Sequence, residues 1–478
     1  MKRFAQFVLK LPLITFRVKT SYIFQILTLL KLVLTIAIFV TVHILWFSKY
    51  QSRTYRNEIE TFGYLAFAVL TLLKIIPCLS LPFVLMNIIA IIFTNVWEDP
   101  PKLEVRKTDI PFICFRVVTR GLYHNLVADS LRRNIEICQN TGLDKFKFEV
   151  VTDIPLNLNA SLFVREIVVP KQYVSKNNSL YKARALQYCL EEEVDCLLDD
   201  DWIVHLDEET ILTEGAVIGL ANFATKDLGS LGQGVITYAN DRIVNWYTTL
   251  ADSVRVSIDI GLMKFCFQKL HRPVYGLKGS FIIVKAPVEK ALGFDFGPKG
   301  SIAEDLCFAL EAWKRGYKFN FVEGVVWEKS PFTIADYIRQ RKRWFVGRMF
   351  GLLNPGIPIK CKILLFPTDL NWLLLPLNLL DIPISFFFPV KTPMFVILVN
   401  AMTVGLIVFL FTFGSIQSFS ILRYGLIRKV MICICTILII PFTACLDGIA
   451  SWCGFFGQLQ YEFYIVQKEH SLLQKRVL

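Results

Sequence analysis

A run of apolar residues from Tyr22 to Phe47, broken only by Gln25, Lys31 and a few mildly polar side chains, leaves this chain few ways to fold. In a bilayer core of about 30 Å, a segment must satisfy every backbone amide internally, so the run reads as a membrane-crossing helix. Similar runs follow at Thr61 to Trp97, Ile363 to Val390, Pro393 to Phe413 and Val430 to Phe456. Lys74, Pro77 and Pro82 interrupt the second, which reads as one crossing plus an interfacial helix rather than two crossings. The third carries Asp369 and Asp381 and is either interfacial or a broken helix. The composition agrees, with 54% of the 478 residues hydrophobic and 40 of them Phe.

The first run is too long for a cleavable signal, and no small-residue cleavage site follows it. Lys2, Arg3, Lys10, Arg17 and Lys19 precede it, which puts the N-terminus in the cytoplasm. Two crossings before residue 98 return the central region to the cytoplasm, whereas three place it in a lumen. The 12 cysteines form no CxxC pair, which fits a reducing compartment. Sequons at Asn159-Ala160-Ser161 and Asn177-Asn178-Ser179 would be glycosylated only in a lumen. The net charge of +12 is concentrated beside the apolar runs, at Arg339, Arg341, Lys342, Arg343 and Arg348 and again at Arg423, Arg428 and Lys429. An anionic leaflet accounts for that placement. No nucleic-acid-binding module is visible, so nucleic acid is not expected as a partner.

The stretch from about 98 to 350 reads as α/β. Strands are expected at Pro111 to Val118, Phe146 to Thr152, Trp202 to Leu206, Leu231 to Tyr238, Phe281 to Val284 and Phe319 to Val322. Helices are expected at Asn125 to Gln139, Leu180 to Glu192, Ala303 to Arg315 and Pro331 to Leu353. Such alternation implies a mostly parallel sheet, which binds ligands at the carboxyl ends of its strands.

Five features follow in order. Asp153 ends the second strand and could accept hydrogen bonds from a nucleotide base or ribose, or be an ordinary turn residue. Lys182 and Arg184 lie two apart on a helix and cannot share a face, so one reaches a diphosphate and the other a solvated surface. Asp207-Glu208-Glu209 tips the third strand, and six acids fall between Asp199 and Glu209. Asp207 and Glu209 can share Mg²⁺ or Mn²⁺, hard cations that take oxygen ligands. Glu304 and Asp305 open a helix, where a carboxylate can serve as general base or simply favour the helix dipole. Last comes Gln340-Arg341-Lys342-Arg343-Trp344. Arg343 suits bidentate contact with a leaving diphosphate, and Trp344 offers an apolar platform for a sugar or lipid edge. A basic amphipathic helix on the membrane explains the same residues. His205, alone in an apolar strand, is expected only to pack.

Aspartate, then an Asp-x-Asp-like triplet, then Glu-Asp, then Gln-x-x-Arg-Trp resembles the family 2 glycosyltransferases, GT-A enzymes that include cellulose, chitin and hyaluronan synthases. The likeness covers roughly 110 to 350, and Lys278 to Ile283 with Leu292 to Asp295 resembles the family's acceptor-side glycine-rich strand and turn. Glu209 stands where the family usually has a second Asp, and Arg116 to Gly121 replaces the usual Asn-Glu ending of the first strand. Residues 112–121, 201–210 and 339–348 look like the invertebrate β-1,4-mannosyltransferases of glycolipid synthesis.

The resemblance implies a Rossmann-like GT-A domain flanked by transmembrane helices, at an endomembrane (Golgi or ER) with its catalytic domain cytosolic. The expected division is a membrane region 1–97 with about two spans, a catalytic domain 98–355, and a membrane region 356–478 with two or three spans. It further implies GDP-mannose as donor, glucosylceramide as acceptor and a divalent cation. Transfer is expected by one inverting displacement. Asp305 is the base beside Glu304. Asp153, Lys182, Arg184, Asp207, Gln340 and Arg343 bind the donor. Gly279, Ser280 and Trp344 face the acceptor, and Asp207 and Glu209 hold the metal. A processive polysaccharide synthase shares these motifs, and a non-enzymatic membrane scaffold or channel is the remaining alternative.

Overall fold

The computed structural model describes residues 20–51, 57–97, 99–158 and 161–457. The basic segment Lys2 to Lys19, the Asn159 sequon and the basic tail Lys468 to Arg476 lie outside the described residues. The chain begins with α1 (Thr20–Gln51), α2 (Glu58–Ile75) and α3 (Leu81–Phe93). A core then follows: β1 (Ile113–Thr119), α4 (His124–Thr141), β2 (Phe146–Thr152), β3 (Val164–Val168), α5 (Tyr181–Tyr188), β4 (Trp202–Asp207), α6 (Glu214–Thr225) and β5 (Leu231–Thr237). It continues through α7 (Trp246–Ile258), β6 (Ile282–Lys285), α8 (Ala286–Leu292), α9 (Glu304–Lys314), β7 (Phe319–Trp327) and α10 (Ile334–Leu353). The chain closes with α11 (Leu365–Phe387), α12 (Met394–Ser418) and α13 (Ile421–Phe456).

Among the described residues, five helical stretches are long and apolar enough to cross a membrane, two before the core and three after it. Glu58 to Phe93 counts as one of them. Its prolines do not end it, because Pro77 and Pro82 sit in the first turns of the 3₁₀ segment Ile76–Ser80 and of α3. A proline there loses no intrahelical hydrogen bond. The two halves advance together along α12: Asn400 meets Lys74 and Cys78, while Val84, Ile88 and Ile91 cluster with Leu406, Leu410 and Phe413. α11 is helical throughout although it contains Pro376 and Pro383.

The core sheet has the order β3-β2-β1-β4-β6-β5-β7. Only β6 runs antiparallel, against both β4 and β5; the other pairings are parallel. The central strands are apolar on both faces because helices cover both. Phe115 stacks on Phe148 with ring centroids 4.7 Å apart. Arg116 is the exception in β1. It is fully buried and pairs with Glu149 at 2.9 Å and Glu289 at 2.6 Å. His205 Nε2 lies 2.6 Å from the other Glu289 oxygen, so this histidine packs within the core network. Arg116→Met would leave Glu149 to Arg165 and Glu289 to His205 in the core, and a loss of about 3–5 kcal/mol in stability is expected, read as a lower melting temperature.

β7 extends past Val322, where the sequence suggested an end. Gly324, at φ +87°, lets the strand bulge and lie against Gly215, whose backbone a Cβ would meet at 2.5 Å. β3 carries Arg165 and Glu166 at the sheet edge. Glu166 accepts from the Leu156 and Leu158 amides at 2.6 and 2.9 Å, so this strand lacks an apolar signature.

Candidate active site

β1, β2, β4, β5 and β7 all point their carboxyl ends to one edge, and antiparallel β6 begins there. Asp207 tips β4. The β4–β6 register, with His205 opposite Ile282, brings Gly279 and Ser280 beside it. The Asp207 amide donates to Ser280 Oγ at 3.2 Å. Lys182, in the first turn of α5, reaches the same point. Its Nζ lies 2.6 Å from Asp207 Oδ1, donates to the Gly279 carbonyl at 2.7 Å, and is 3.9 Å from Glu304 Oε1. Burial works against its charge, but Asp207 and Glu304 outweigh burial and hold it above the usual lysine value. Arg184 turns elsewhere, to Asp153 at 3.0 Å and to the Pro170 and Tyr173 carbonyls. The two cations thus serve two acids, and both line the same cavity.

Glu304 and Asp305 begin α9, whose start is held by α10. Gly347 lies so close to Ala303 that a Cβ there would sit 2.5 Å from the alanine methyl. Asp305 Oδ1 accepts from the Leu306 amide at 2.7 Å. Burial, then the neighbouring Asp305, pushes Glu304 up to about 7, with Lys182 and Arg343 opposing. Burial also raises Asp305, against the Leu306 amide, Lys182 and Arg343. Gly279 leaves open the space in front of these groups. A Cβ on it would lie 3.4 Å from Lys182 Nζ, 3.7 Å from Asp305 Oδ2 and 3.8 Å from Glu304 Oε1.

Glu328 is a site residue that the sequence reading missed. It follows the true tip of β7, and the pairing of Trp327 with Ile211 draws it beside the loop after β4. Its Oε1 accepts from Thr210 Oγ1 at 2.8 Å. Burial, then Asp207 and Glu209, raises it to about 7. Reading β7 through Glu323 and Gly324 would have found it. Asp207, Glu209 and Glu328 supply the all-oxygen donor chemistry that suits a hard cation, and Asp207 and Glu209 add to burial in raising Glu328. Among the described residues no three His, Cys, Asp or Glu side chains are drawn into a ligand shell, and Lys182 stands beside Asp207. Glu208 lines the same cavity and accepts a hydrogen bond from Thr119 Oγ1.

α10 forms the opposite wall. Gln340 Oε1 accepts from Arg341 Nη1 at 2.9 Å. Trp344 has the guanidinium carbons of Arg341 and Arg255 at 4.3 and 4.5 Å from its ring centroid. Arg341 is buried against Asp252, Asp447 and the Tyr337 ring, so the second cation of the basic stretch locks α10 to α7 and α13.

Asp153, Lys182, Arg184, Asp207, Glu209, Gly279, Ser280, Glu304, Asp305, Gln340, Arg343 and Trp344 all line one cavity of about 1180 Å³. A parallel-biased sheet with acids at one edge, a basic helix across from them and membrane helices beside it defines a membrane-bound GT-A-like glycosyltransferase. Residues 202–446 match the family described as glycosyl transferase family group 2, and the chain belongs to that family. It is 42% identical to the beta-1,4-mannosyltransferase egh of Drosophila melanogaster, over 86% of this chain and 90% of that one. To the beta-1,4-mannosyltransferase bre-3 of Caenorhabditis elegans it is 40% identical, over 86% of this chain and 91% of the other.

Proposed function

We propose that this enzyme transfers mannose from GDP-mannose to the 4-hydroxyl of glucosylceramide, with inversion, at the cytosolic face of a Golgi or ER membrane. The reading is carried by one observation: the cavity that holds Asp207, Glu304 and Asp305 continues among the membrane helices, past Phe83, Val404 and Leu410. A lipid acceptor can present its headgroup to the acids while its chains stay in the bilayer. The two relatives are beta-1,4-mannosyltransferases, which supports mannose and the β-1,4 linkage. The division of the chain at 97 and 355 follows from the same reading. Glycosylation at Asn177, an exposed residue whose Nδ2 donates to the Asp295 carbonyl at 2.9 Å, would contradict a cytosolic domain.

In this mechanism Asp305 removes the acceptor hydroxyl proton as that oxygen attacks the anomeric carbon, and the donor diphosphate leaves from the opposite face. Glu304 keeps the proton affinity of the pair high. Asp153, steadied by Arg184, holds the nucleoside. Gln340 and Arg343 face the diphosphate, and Lys182 adds positive charge to it. Gly279 and Ser280 border the acceptor, and Trp344 gives it a flat wall. Asp207 and Glu209, with Glu328, would hold Mg²⁺ or Mn²⁺, which supplies charge neutralisation for the leaving diphosphate.

Purified protein offered a panel of nucleotide sugars with glucosylceramide is expected to use GDP-mannose, to stop after one sugar, and to lose activity in EDTA. A long polymer as product would replace this reading with a processive synthase.

A further inference from the structure

The polar residues of α11 suggest an interfacial or broken helix, and the structure sets them along one cavity. Thr368, Asp369, Asn371, Asn378 and Asp381 all line the cavity that begins at the catalytic acids. Thr368, Asn371, Asn378 and Asp381, spaced three, seven and three residues apart, keep to one helical stripe, and Asp369 stands beside its first member. Other helices answer them layer by layer. Arg348 of α10 binds Asp369 and Thr368. Ser80 binds Asn371, and Asn378 Nδ2 reaches Ser80 Oγ at 3.4 Å. Deeper still, Lys74 pairs with Asp381 at 3.2 Å and also binds Ser385. His43 and Asn400 line the same end.

Asp381 lies twelve residues beyond Asp369, about 18 Å further along the helix at the usual rise. That is well past the level at which a single-sugar acceptor, with its hydroxyl at Asp305, needs hydrogen bonds. Ionisable groups inside a membrane are costly, and a buried ion pair is a poor stabiliser compared with apolar packing. The buried Asn378 Oδ1 accepts no hydrogen bond within the protein, which leaves an acceptor for a hydroxyl donor from elsewhere. The layers offer both donors and acceptors, as sugar hydroxyls require, along a cavity also lined by Phe83, Val404, Ile407 and Leu410.

We propose that this stripe is a passage through which the sugar headgroup of the glycolipid product crosses the bilayer, away from the catalytic acids, while its chains remain in the lipid. The proposal rests on the lipid-acceptor reading above. It is downhill transit and needs no energy source.

The test uses phosphatidylcholine vesicles carrying mannosyl-glucosylceramide, with or without the purified full chain, and β-mannosidase added outside. Protein-free vesicles should lose mannose only from the outer leaflet, and vesicles with the protein from both. Lys74→Leu with Asp381→Leu, and separately Asn378→Phe, should stop hydrolysis at the outer leaflet while still mannosylating glucosylceramide in detergent, which also reports that they are folded. Wild-type protein that stops at the outer leaflet overturns the passage, as do active variants that still expose both leaflets. Failure of the wild type to mannosylate glucosylceramide in detergent instead overturns the acceptor assignment. Lipid-free saccharide collecting inside vesicles supplied with donor would give the passage to a polymer and overturn the headgroup proposal.

Discussion

Asp305→Asn is expected to cut turnover by about 10²- to 10⁴-fold, the usual share of a general base, while donor binding survives. The amide matches the carboxylate in size and cannot take a proton. It also removes a negative charge from beside Glu304, so folding should not suffer. The pH profile adds a second reading. Burial raises both acids, with Asp305 adding to Glu304, which reaches about 7, and Asp207 adding to Asp305; the working form of the base is the ionised one. In the wild type, kcat/KM should therefore fall with falling pH, its acid limb lying above the usual carboxylate range because both acids are raised. In the variant, Glu304 loses its repelling neighbour, so any residual activity should keep its acid limb at lower pH. Near-normal turnover in Asp305→Asn would take the base role away from this residue.

The second large effect is expected at Asp207. Its carboxylate holds Lys182 at 2.6 Å and contributes to the field that raises Glu328. Asp207→Ala removes one of the proposed cation ligands and frees Lys182, which keeps its bond to the Gly279 carbonyl. The metal-dependent part of donor binding should weaken by about 100-fold or more, since even an outer-shell partner of a metal costs 10- to 100-fold. Titration of GDP-mannose with and without Mn²⁺ measures that part directly. Wild-type-like affinity in the presence of Mn²⁺ would remove Asp207 from the cation site. The contrast with Asp305→Asn is informative because one variant should lose chemistry and the other binding.

Much of this was legible before the fold was known. A strand that must be apolar on both faces announces itself, so β1, β2, β4 and β5 were read nearly to the residue. Acids at the end of such a strand stand out for the same reason, which is how Asp153 and Asp207 were found. β3 was not legible, because an edge strand with Arg165 and Glu166 lacks the pattern. Glu328 was hidden by a bulge: Glu323 and Gly324 look like the end of β7, yet the glycine only bends it.

The sequence by itself determined which segments could enter a bilayer, which acids ended strands, and the order of motifs that marks the family. Those are local properties, set by the period of apolar residues and by chain neighbours. Only the tertiary structure decided which acids meet. Antiparallel β6 carries Gly279 to Asp207, and α10 sets Glu304 and Asp305 facing Lys182. It also gave the polar residues of α11 a cavity to face. Their sequence spacing allows a stripe, but its direction depends on helices far away in the chain.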